Sequence, residues 1–176
     1  MITLHKKVRQ KGVTQVEFIL IATTVLLLLF AILEFAAYFF SVQMVNEVTR
    51  RAARLATVCY ISDRDDIKQL DSLTNLYPAD FTGDNLEITY LGSDGAEIDV
   101  SGFVSSPPAD DATLEDQFRQ IRYVRARSIN YTYNFVVLSL LIDLIGNTPA
   151  FETILPAESL GILRQSSSSG EDRTDC

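Results

Sequence analysis

The 176-residue sequence contains one histidine, two cysteines and no tryptophan. The histidine, His5, lies in a basic N-terminal segment, so a Ser-His-Asp triad, a Cys-His pair or a His-ligated zinc site would have to use that residue. Lysine and arginine number 15 against 23 aspartates and glutamates, and the main basic run lies within residues 1–12. The sequence therefore predicts no nucleic-acid partner, because a phosphate-binding surface needs clustered basic residues in the folded part.

Charged residues are almost absent from residues 18–40, FILIATTVLLLLFAILEFAAYFF, where Glu34 is the one charged side chain. As a helix this run spans about 34 Å, which is enough to cross a bilayer. A buried helix of a soluble domain would keep a polar face, and residues 26–33 are apolar on every side. A cleaved secretory signal would have a shorter apolar run and a small-x-small cleavage pattern. We therefore predict a transmembrane helix.

The charges that flank this run predict its orientation. Residues 1–12 carry four basic side chains and no acidic one, which favours a cytoplasmic N-terminus and an exported remainder. Cys59 and Cys176 would then share an oxidising compartment. We expect one disulfide between them, while free thiols or an intermolecular bridge at Cys59 remain alternatives.

The helix is expected to continue beyond the membrane. Residues 41–59 contain no glycine or proline, and their apolar side chains recur at intervals of three and four residues. This apolar stripe comprises Val42, Val45, Val48, Ala52, Leu55 and Cys59. A helix from about Val13 to about Cys59 would be roughly 70 Å long, half in lipid and half projecting as a stalk.

Residues 60–164 predict a small exported head with a short helix and an antiparallel sheet, and hence an α+β chain. We expect a helix over 63–76 begun by a capping box at Ser62, followed by a hairpin that turns at 92–95. An exposed loop over 101–113 and two helical turns over 114–121, capped by Thr113, should come next. A strand over 129–135 and a final strand near 151–155 complete the expected head. Residues 165–176 predict a flexible serine-rich tail, which Cys176 could anchor.

Residues 135–145, FVVLSLLIDLI, form a second apolar run. It is too short to span a bilayer, so we expect a buried strand or loop, with a surface facing the membrane or a partner as the alternative.

The residues just before the first apolar run form a recognisable pattern. Gly12 is followed by Val13, and Glu17 and Phe18 come at the start of the apolar helix. A glycine gives a peptidase access to an extended backbone, and cleavage there would remove the basic leader and create an α-amino group at Val13. A carboxylate so near hydrocarbon is costly unless it is paired, so Glu17 would pair with the Val13 amine of a neighbouring subunit. The alternative is an interfacial glutamate favoured by the helix dipole.

Residues 11–59 resemble the TadE-type pseudopilins of the tight adherence (Tad/Flp) pilus system, a bacterial branch of the type IV pilus superfamily. The resemblance rests on Gly12, Glu17 and Phe18, the leucine-rich run, the Glu34-Phe35 pair and the stalk rich in arginine and alanine. It implies a pilin-like fold, cleavage between Gly12 and Val13 by a prepilin peptidase, and a role as a minor pilin or pseudopilin in pilus assembly. The major Flp pilin is far shorter and has Tyr after the Glu, where this chain has Phe18, so this chain is not expected to be the main filament subunit. TadF-type pseudopilins share the same N-terminal motif, so TadE and TadF both stay open, and the stalk favours TadE.

The resemblance also implies partners and a location. The expected partners are the prepilin peptidase, the major Flp pilin, a TadF-like pseudopilin, the inner-membrane assembly platform and the lipid bilayer. The expected location is the bacterial inner membrane, crossed once, with incorporation into the extracellular pilus left open. Glu34 would either snorkel to the outer interface beside Tyr38 or pair with another pilin or assembly protein.

The acidic clusters do not indicate catalysis. The groups at 63–66 and 80–87 follow no calcium-binding loop pattern and are interpreted as a solvated surface. We expect no enzyme activity, no cofactor and no metal. The alternative function is a single-pass membrane-anchored adhesin or binding module, and an anchored enzyme using paired carboxylates is the weakest hypothesis.

Overall fold

The computed structural model describes residues 13–105, 109–140, 145–147, 149–162 and 176. Its longest element is helix α1, Val13–Val58, whose 46 residues extend for about 69 Å at 1.5 Å per residue. The sequence of α1 contains neither proline nor glycine, so nothing interrupts its hydrogen bonds. The long continuous helix followed by a small head with an antiparallel sheet confirms the predicted α+β class.

The C-terminal half of α1 belongs to the core of the head. Its apolar stripe contributes Val45, Val48 and Ala52, and Cys59 follows directly after its last residue; all four have no exposed surface. Val42 and Leu55, the other members of the predicted stripe, are half-buried. The predicted spacing of three and four residues therefore identifies the face of α1 that packs on the sheet.

The sheet that covers this face has four antiparallel strands in the order β2-β1-β3-β6. The strands are β1 (Leu86–Leu91), β2 (Glu97–Ile98), β3 (Tyr123–Ser128) and β6 (Glu152–Pro156). The register of β1 on β3 runs from Leu86 opposite Ser128 to Leu91 opposite Tyr123. Helix α1 contacts β3 and β6 most extensively. Two further strands, β4 (Thr132–Asn134) and β5 (Ile145–Asn147), pair with each other in a second sheet.

The predicted hairpin and the predicted final strand are both confirmed. The hairpin joins β1 to β2 through a turn in which the Gly92 amide donates to the Ala96 carbonyl at 2.8 Å. Gly95 has a φ of 80°, a left-handed conformation that suits glycine. Strand β6 lies where the alternation near residues 151–155 placed it.

The single helix predicted over 63–76 is wrong. The segment instead forms a 3₁₀ turn (Ile61–Asp63) and two short helices, α2 (Arg64–Ile67) and α3 (Asp71–Thr74). Leu70 breaks the helical path with an extended backbone, φ −61° and ψ 137°. Because Ile67 and Leu73 would point in different directions on one continuous helix, this break allows both to be fully buried. The Ser62 hydroxyl donates to the Asp63 carboxylate at 2.8 Å and caps no helix.

The predicted loop over 101–113 and the predicted cap at Thr113 are also corrected. Helix α4 (Ser101–Val104) buries Phe103, and helix α5 (Asp111–Gln120) begins three residues before Leu114. Asp110 is the N-cap, since its carboxylate accepts hydrogen bonds from the backbone N–H and the hydroxyl of Thr113, at 3.2 and 2.8 Å. Aspartate and threonine both favour N-cap positions, and the earlier of the two caps this helix.

The strand predicted over 129–135 has the right alternation but the wrong limits. Tyr131 and Phe135 are buried while Thr132 and Asn134 are exposed, as predicted. The backbone leaves the strand conformation at Asn130, whose φ is 53°, so β3 ends before it and β4 begins after it. The predicted flexible tail at 165–175 and part of the second apolar run, residues 141–144, lie outside the described residues.

Candidate functional site

The N-terminal third of α1 carries the residues singled out for processing and assembly. Gly12 lies outside the described residues, and Val13 is the first residue of the helix. Glu17 and Phe18 follow one turn later, and the Phe18 side chain is 71% exposed. This end of α1 projects away from the head, so a neighbouring chain could reach Glu17.

The surface of α1 ahead of the head is almost wholly apolar. The helix is long and apolar enough to cross a membrane, and its most apolar part is not buried by the rest of the described chain. The large side chains exposed here are Val16, Phe18, Ile19, Leu20, Ile21, Val25, Leu26, Leu27, Leu28, Leu29, Phe30, Ile32, Leu33, Phe35, Phe39 and Phe40. The Thr24 hydroxyl donates to the Leu20 carbonyl at 2.8 Å, so this polar group is satisfied within the helix. A surface of this kind requires lipid or other apolar helices around it.

Glu34 lies where the head first meets α1. Its carboxylate accepts hydrogen bonds from three consecutive backbone N–H groups, those of Val136, Val137 and Leu138. The Val137 and Leu138 amide nitrogens are each 2.9 Å from a carboxylate oxygen. A 3₁₀ turn, Leu138–Leu140, begins at this point. Three backbone donors that converge on one carboxylate form a charge-assisted site that fixes the loop to the helix.

An aromatic cluster surrounds this contact. The Phe35 ring lies edge-on to that of Phe135, with centroids 5.8 Å apart. Tyr38 contacts both Tyr133 and Phe135, at 5.5 and 5.6 Å, and the last two rings are 5.0 Å apart. Tyr133 lies on β4 and Phe135 is the first residue after it, so the alternation of the extended chain turns both rings to the same side, where they reach α1. We call the residues Phe135–Ser139, held on α1 by Glu34 and these rings, the docking loop.

The sequence predicts a Glu34 that snorkels beside Tyr38 or pairs with another chain, whereas the structure shows a contact within the chain. Residues 136–138 carry no local signal for this contact, because a backbone N–H has no residue-type signature. Two unusual features could have indicated the contact: the one acid in the first apolar run and a second apolar run with no charge from residue 135 to residue 142.

The two cysteines meet at the far end of α1. Cys59 and Cys176 are joined by a disulfide with their Cα atoms 5.8 Å apart. The Cys176 amide also donates to the buried Asp63 carboxylate at 3.1 Å. At the same end of the helix, the Leu160 amide donates to the Thr57 carbonyl at 3.0 Å. Several parts of the C-terminal region therefore converge where the stalk helix ends.

Several acidic side chains of the head form ion pairs within the chain. Asp65 pairs with Lys68 at 2.9 Å and Arg64 at 3.2 Å. Burial alone would raise the pKa of Asp65, but the hydrogen bonds and positive charges of these two partners hold it below its ordinary value. Glu87 pairs with Arg127 across the sheet at 2.9 Å. Nowhere in the described part of the chain do three potential ligands gather into a metal site.

Comparison with protein families gives a match in the N-terminal part of the chain. Residues 12–54 match the model of the family described as TadE-like protein, which confirms the resemblance drawn from the sequence. The matched region begins at Gly12 and ends within the stalk half of α1. Comparisons with curated proteins and with solved structures gave no match. The family match and the long apolar helix together support a pilin-like membrane protein associated with Tad pili, and the family is a structural component of the pilus rather than a family of enzymes.

Proposed function

We propose that the chain is a minor pilin or pseudopilin needed to assemble a Tad/Flp pilus. The observation that carries this proposal is the exposed apolar surface of α1, which begins at Val16, four residues after Gly12, and has Glu17 as its one early charge. A helix of this kind can partition into lipid and can also pack laterally against similar helices. The match to the TadE-like family over residues 12–54 supports the same role.

In this proposal, a prepilin peptidase cleaves between Gly12 and Val13. The cut removes the basic leader, residues 1–12, and with it the positive charge that holds the N-terminus in the cytoplasm. It also places a new α-amino group at the start of α1. The mature chain then has a transmembrane and stalk helix (13–59), an exported head (60–164) and a tail (165–176).

Glu17 is proposed to set the axial position of the mature chain among its neighbours. It lies one helical turn, about 6 Å, along the helix from Val13, so a pair between neighbouring chains would compete with a pair within one chain. Near the edge of the hydrocarbon an unpaired carboxylate is costly, so the Val13 amine of an adjacent subunit is the natural partner. Phe18 and the apolar residues that follow would pack in register once this pair forms.

The proposed location is the bacterial inner membrane, with the N-terminus in the cytoplasm and the head outside. The proposed partners are the prepilin peptidase, the major Flp pilin, a TadF-like pseudopilin and the inner-membrane assembly platform. The head would act through contacts and not through catalysis.

Processing is tested by intact-mass and N-terminal analysis of the protein from its native host. We expect Val13 as the first residue. A Gly12→Leu variant should retain the leader, because a bulky side chain blocks access to the extended backbone. The same analysis of the Glu47→Ala variant is the control, since Glu47 lies in the stalk and makes only an exposed pair with Arg51. A chain that keeps residues 1–12 would contradict the proposal and favour an anchored binding module.

Assembly is tested separately with Glu17→Ala. We expect this variant to be processed normally and to fail to support piliation, because it keeps the cleavage site and loses the proposed pairing group. The Glu47→Ala control should support normal piliation. Normal piliation with the Glu17→Ala variant would remove Glu17 from the mechanism.

A further inference from the structure

We infer that the docking loop, Phe135–Ser139, enters the outer face of the lipid bilayer beside α1, with the Glu34 carboxylate as its internal polar partner. The chain would then meet the membrane with a second element of the head in addition to its helix. This inference depends on α1 crossing the membrane and not on the role in pilus assembly.

The position of Glu34 along α1 places the docking loop at the depth of the outer part of the bilayer. Glu17 is the last charge before the apolar run, and Glu34 lies about 25 Å further along α1. A hydrocarbon core is about 30 Å thick. With Glu17 at the inner edge, Glu34 and the loop bound to it lie roughly 5 Å inside the outer edge, and any tilt of the helix places them deeper.

Several polar groups of the docking loop have hydrogen-bond partners within the chain. Unsatisfied backbone N–H and C=O groups are costly in hydrocarbon, and non-helical backbone at membrane depth is tolerated where protein covers it, so the loop needs α1 beside it and partners for its polar groups. The N–H groups of Val136, Val137 and Leu138 all donate to Glu34, and the Ser139 hydroxyl donates to the Val136 carbonyl at 3.0 Å. The same bonds offset the charge of Glu34, which would otherwise be costly at this depth.

The docking loop presents an uncharged, apolar surface. The sequence of the loop, FVVLS, has no charged side chain. Val136 is 73% exposed, more than any other large apolar side chain in the described part of the head. On α1, Phe39 and Phe40 are 63% and 65% exposed just beyond Glu34. The exposed apolar surface of the helix is thus extended by the loop at the same depth.

The molecule that contacts the docking loop in this inference is lipid, because aromatic side chains mark the boundary between lipid and water just beyond it. Tyr38 and Tyr133 pack together one helical turn beyond Glu34, and tyrosines are enriched at the boundary between lipid and water. A soluble partner would bind above this level, where the head is charged. At the level of Val136 lipid surrounds α1 on every side that no other helix covers.

The absence of tryptophan from the chain provides a clean probe. A Val136→Trp variant of the full chain is reconstituted in phosphatidylcholine–phosphatidylglycerol vesicles, with and without bromine on the acyl chains. We expect blue-shifted emission and strong quenching by brominated lipid. Phe39→Trp, on α1, is the positive control and should behave in the same way. Tyr123→Trp, on the 41% exposed Tyr123 of the sheet, should emit as in water and escape quenching.

Two outcomes would overturn the inference. One is water-like, unquenched emission from the Val136→Trp variant while the Phe39→Trp variant is quenched, which would leave the loop above the membrane. The other is blue-shifted emission that brominated lipid does not quench, which would mean that a protein surface covers Val136. Because all three substituted side chains are at least 41% exposed, the substitutions leave the core intact.

Discussion

At the scale of single residues, Tyr90 is a buried side chain whose hydroxyl should lower the stability of the fold. It is fully buried on β1, and its hydroxyl has no hydrogen-bond partner among the described residues. A buried donor without a partner costs roughly 1–3 kcal/mol. We therefore expect Tyr90→Phe to raise the free energy of unfolding by about 1 kcal/mol at neutral pH, measured by chemical denaturation of the full chain in detergent.

The same substitution should change the response to alkaline pH. Burial raises the pKa of Tyr90, so its neutral form is favoured in the folded state. The resulting stabilisation is present below the ordinary tyrosine pKa of about 10 and is lost as the pH rises above it. Tyr90→Phe should therefore lose less stability at alkaline pH. The control is Tyr131→Phe, which removes a hydroxyl that donates to the Ala79 carbonyl at 3.0 Å and should destabilise. Equal destabilisation by both variants would contradict this account.

Gly161 is the residue whose lack of a side chain matters most. Its φ is 79°, and an added Cβ would lie 2.4 Å from the Tyr60 backbone at the end of α1. Gly95 has almost the same φ, 80°, with open space around it. Thermal or chemical unfolding should show that Gly95→Ala costs about 1 kcal/mol from the backbone alone, and Gly161→Ala costs about 1–3 kcal/mol more. Equal losses would mean that the contact with Tyr60 does not constrain the fold.

At the scale of elements, α1 joins two different environments in one helix. Its N-terminal half has apolar side chains on all sides, and its C-terminal half has one apolar stripe that packs on the sheet. No break separates the halves, so the orientation of the head relative to the membrane is set by the helix itself. Glu34 and Tyr38 lie at the transition, where the docking loop adds a second connection between head and helix.

This helix could be predicted from the sequence because its signals are local. An uninterrupted run without proline or glycine and a repeat of three and four residues determine α1 almost independently of the rest. The short elements of the head could not be predicted in the same way. The extended backbone at Leu70 and the left-handed backbone at Asn130 arise from packing in the core, which no local pattern encodes.

The residues of the candidate site also fall into those that a local motif identifies and those that only the tertiary fold brings together. Gly12, Glu17 and Phe18 form a local motif that the sequence alone makes visible. The contact of Glu34 with the Val136 amide joins residues 102 positions apart, so it exists only after the sheet has placed β4 beside α1. The sequence identified Glu34 as unusual, but its partners are backbone groups that the tertiary fold supplies.

At the scale of the whole molecule, the disulfide closes the chain on itself. Cys59 and Cys176 are 117 residues apart, and a loop of that length corresponds to about 4–5 kcal/mol of lost chain entropy in the unfolded state. We expect Cys176→Ala to lower the free energy of unfolding by that order under oxidising conditions. The reduced wild-type chain should match the variant. If the oxidised wild type and the variant were equally stable, the bond would contribute nothing.

The hydrogen bonds between Glu34 and the docking loop should determine how the head is positioned relative to the membrane. Glu34→Ala removes the acceptor of three backbone N–H groups, which should cost roughly 2–3 kcal/mol of local stability. Hydrogen–deuterium exchange in vesicles should therefore accelerate at Val136, Val137 and Leu138, while amides of β1 and β3 keep their protection, because the core of the head is intact. Glu47→Ala, which removes an exposed carboxylate on the same helix, should leave all of these amides unchanged. Unchanged exchange at the three amides in the Glu34→Ala variant would show that the aromatic cluster alone holds the loop, and the head would then be attached to α1 by apolar contacts and not by the carboxylate.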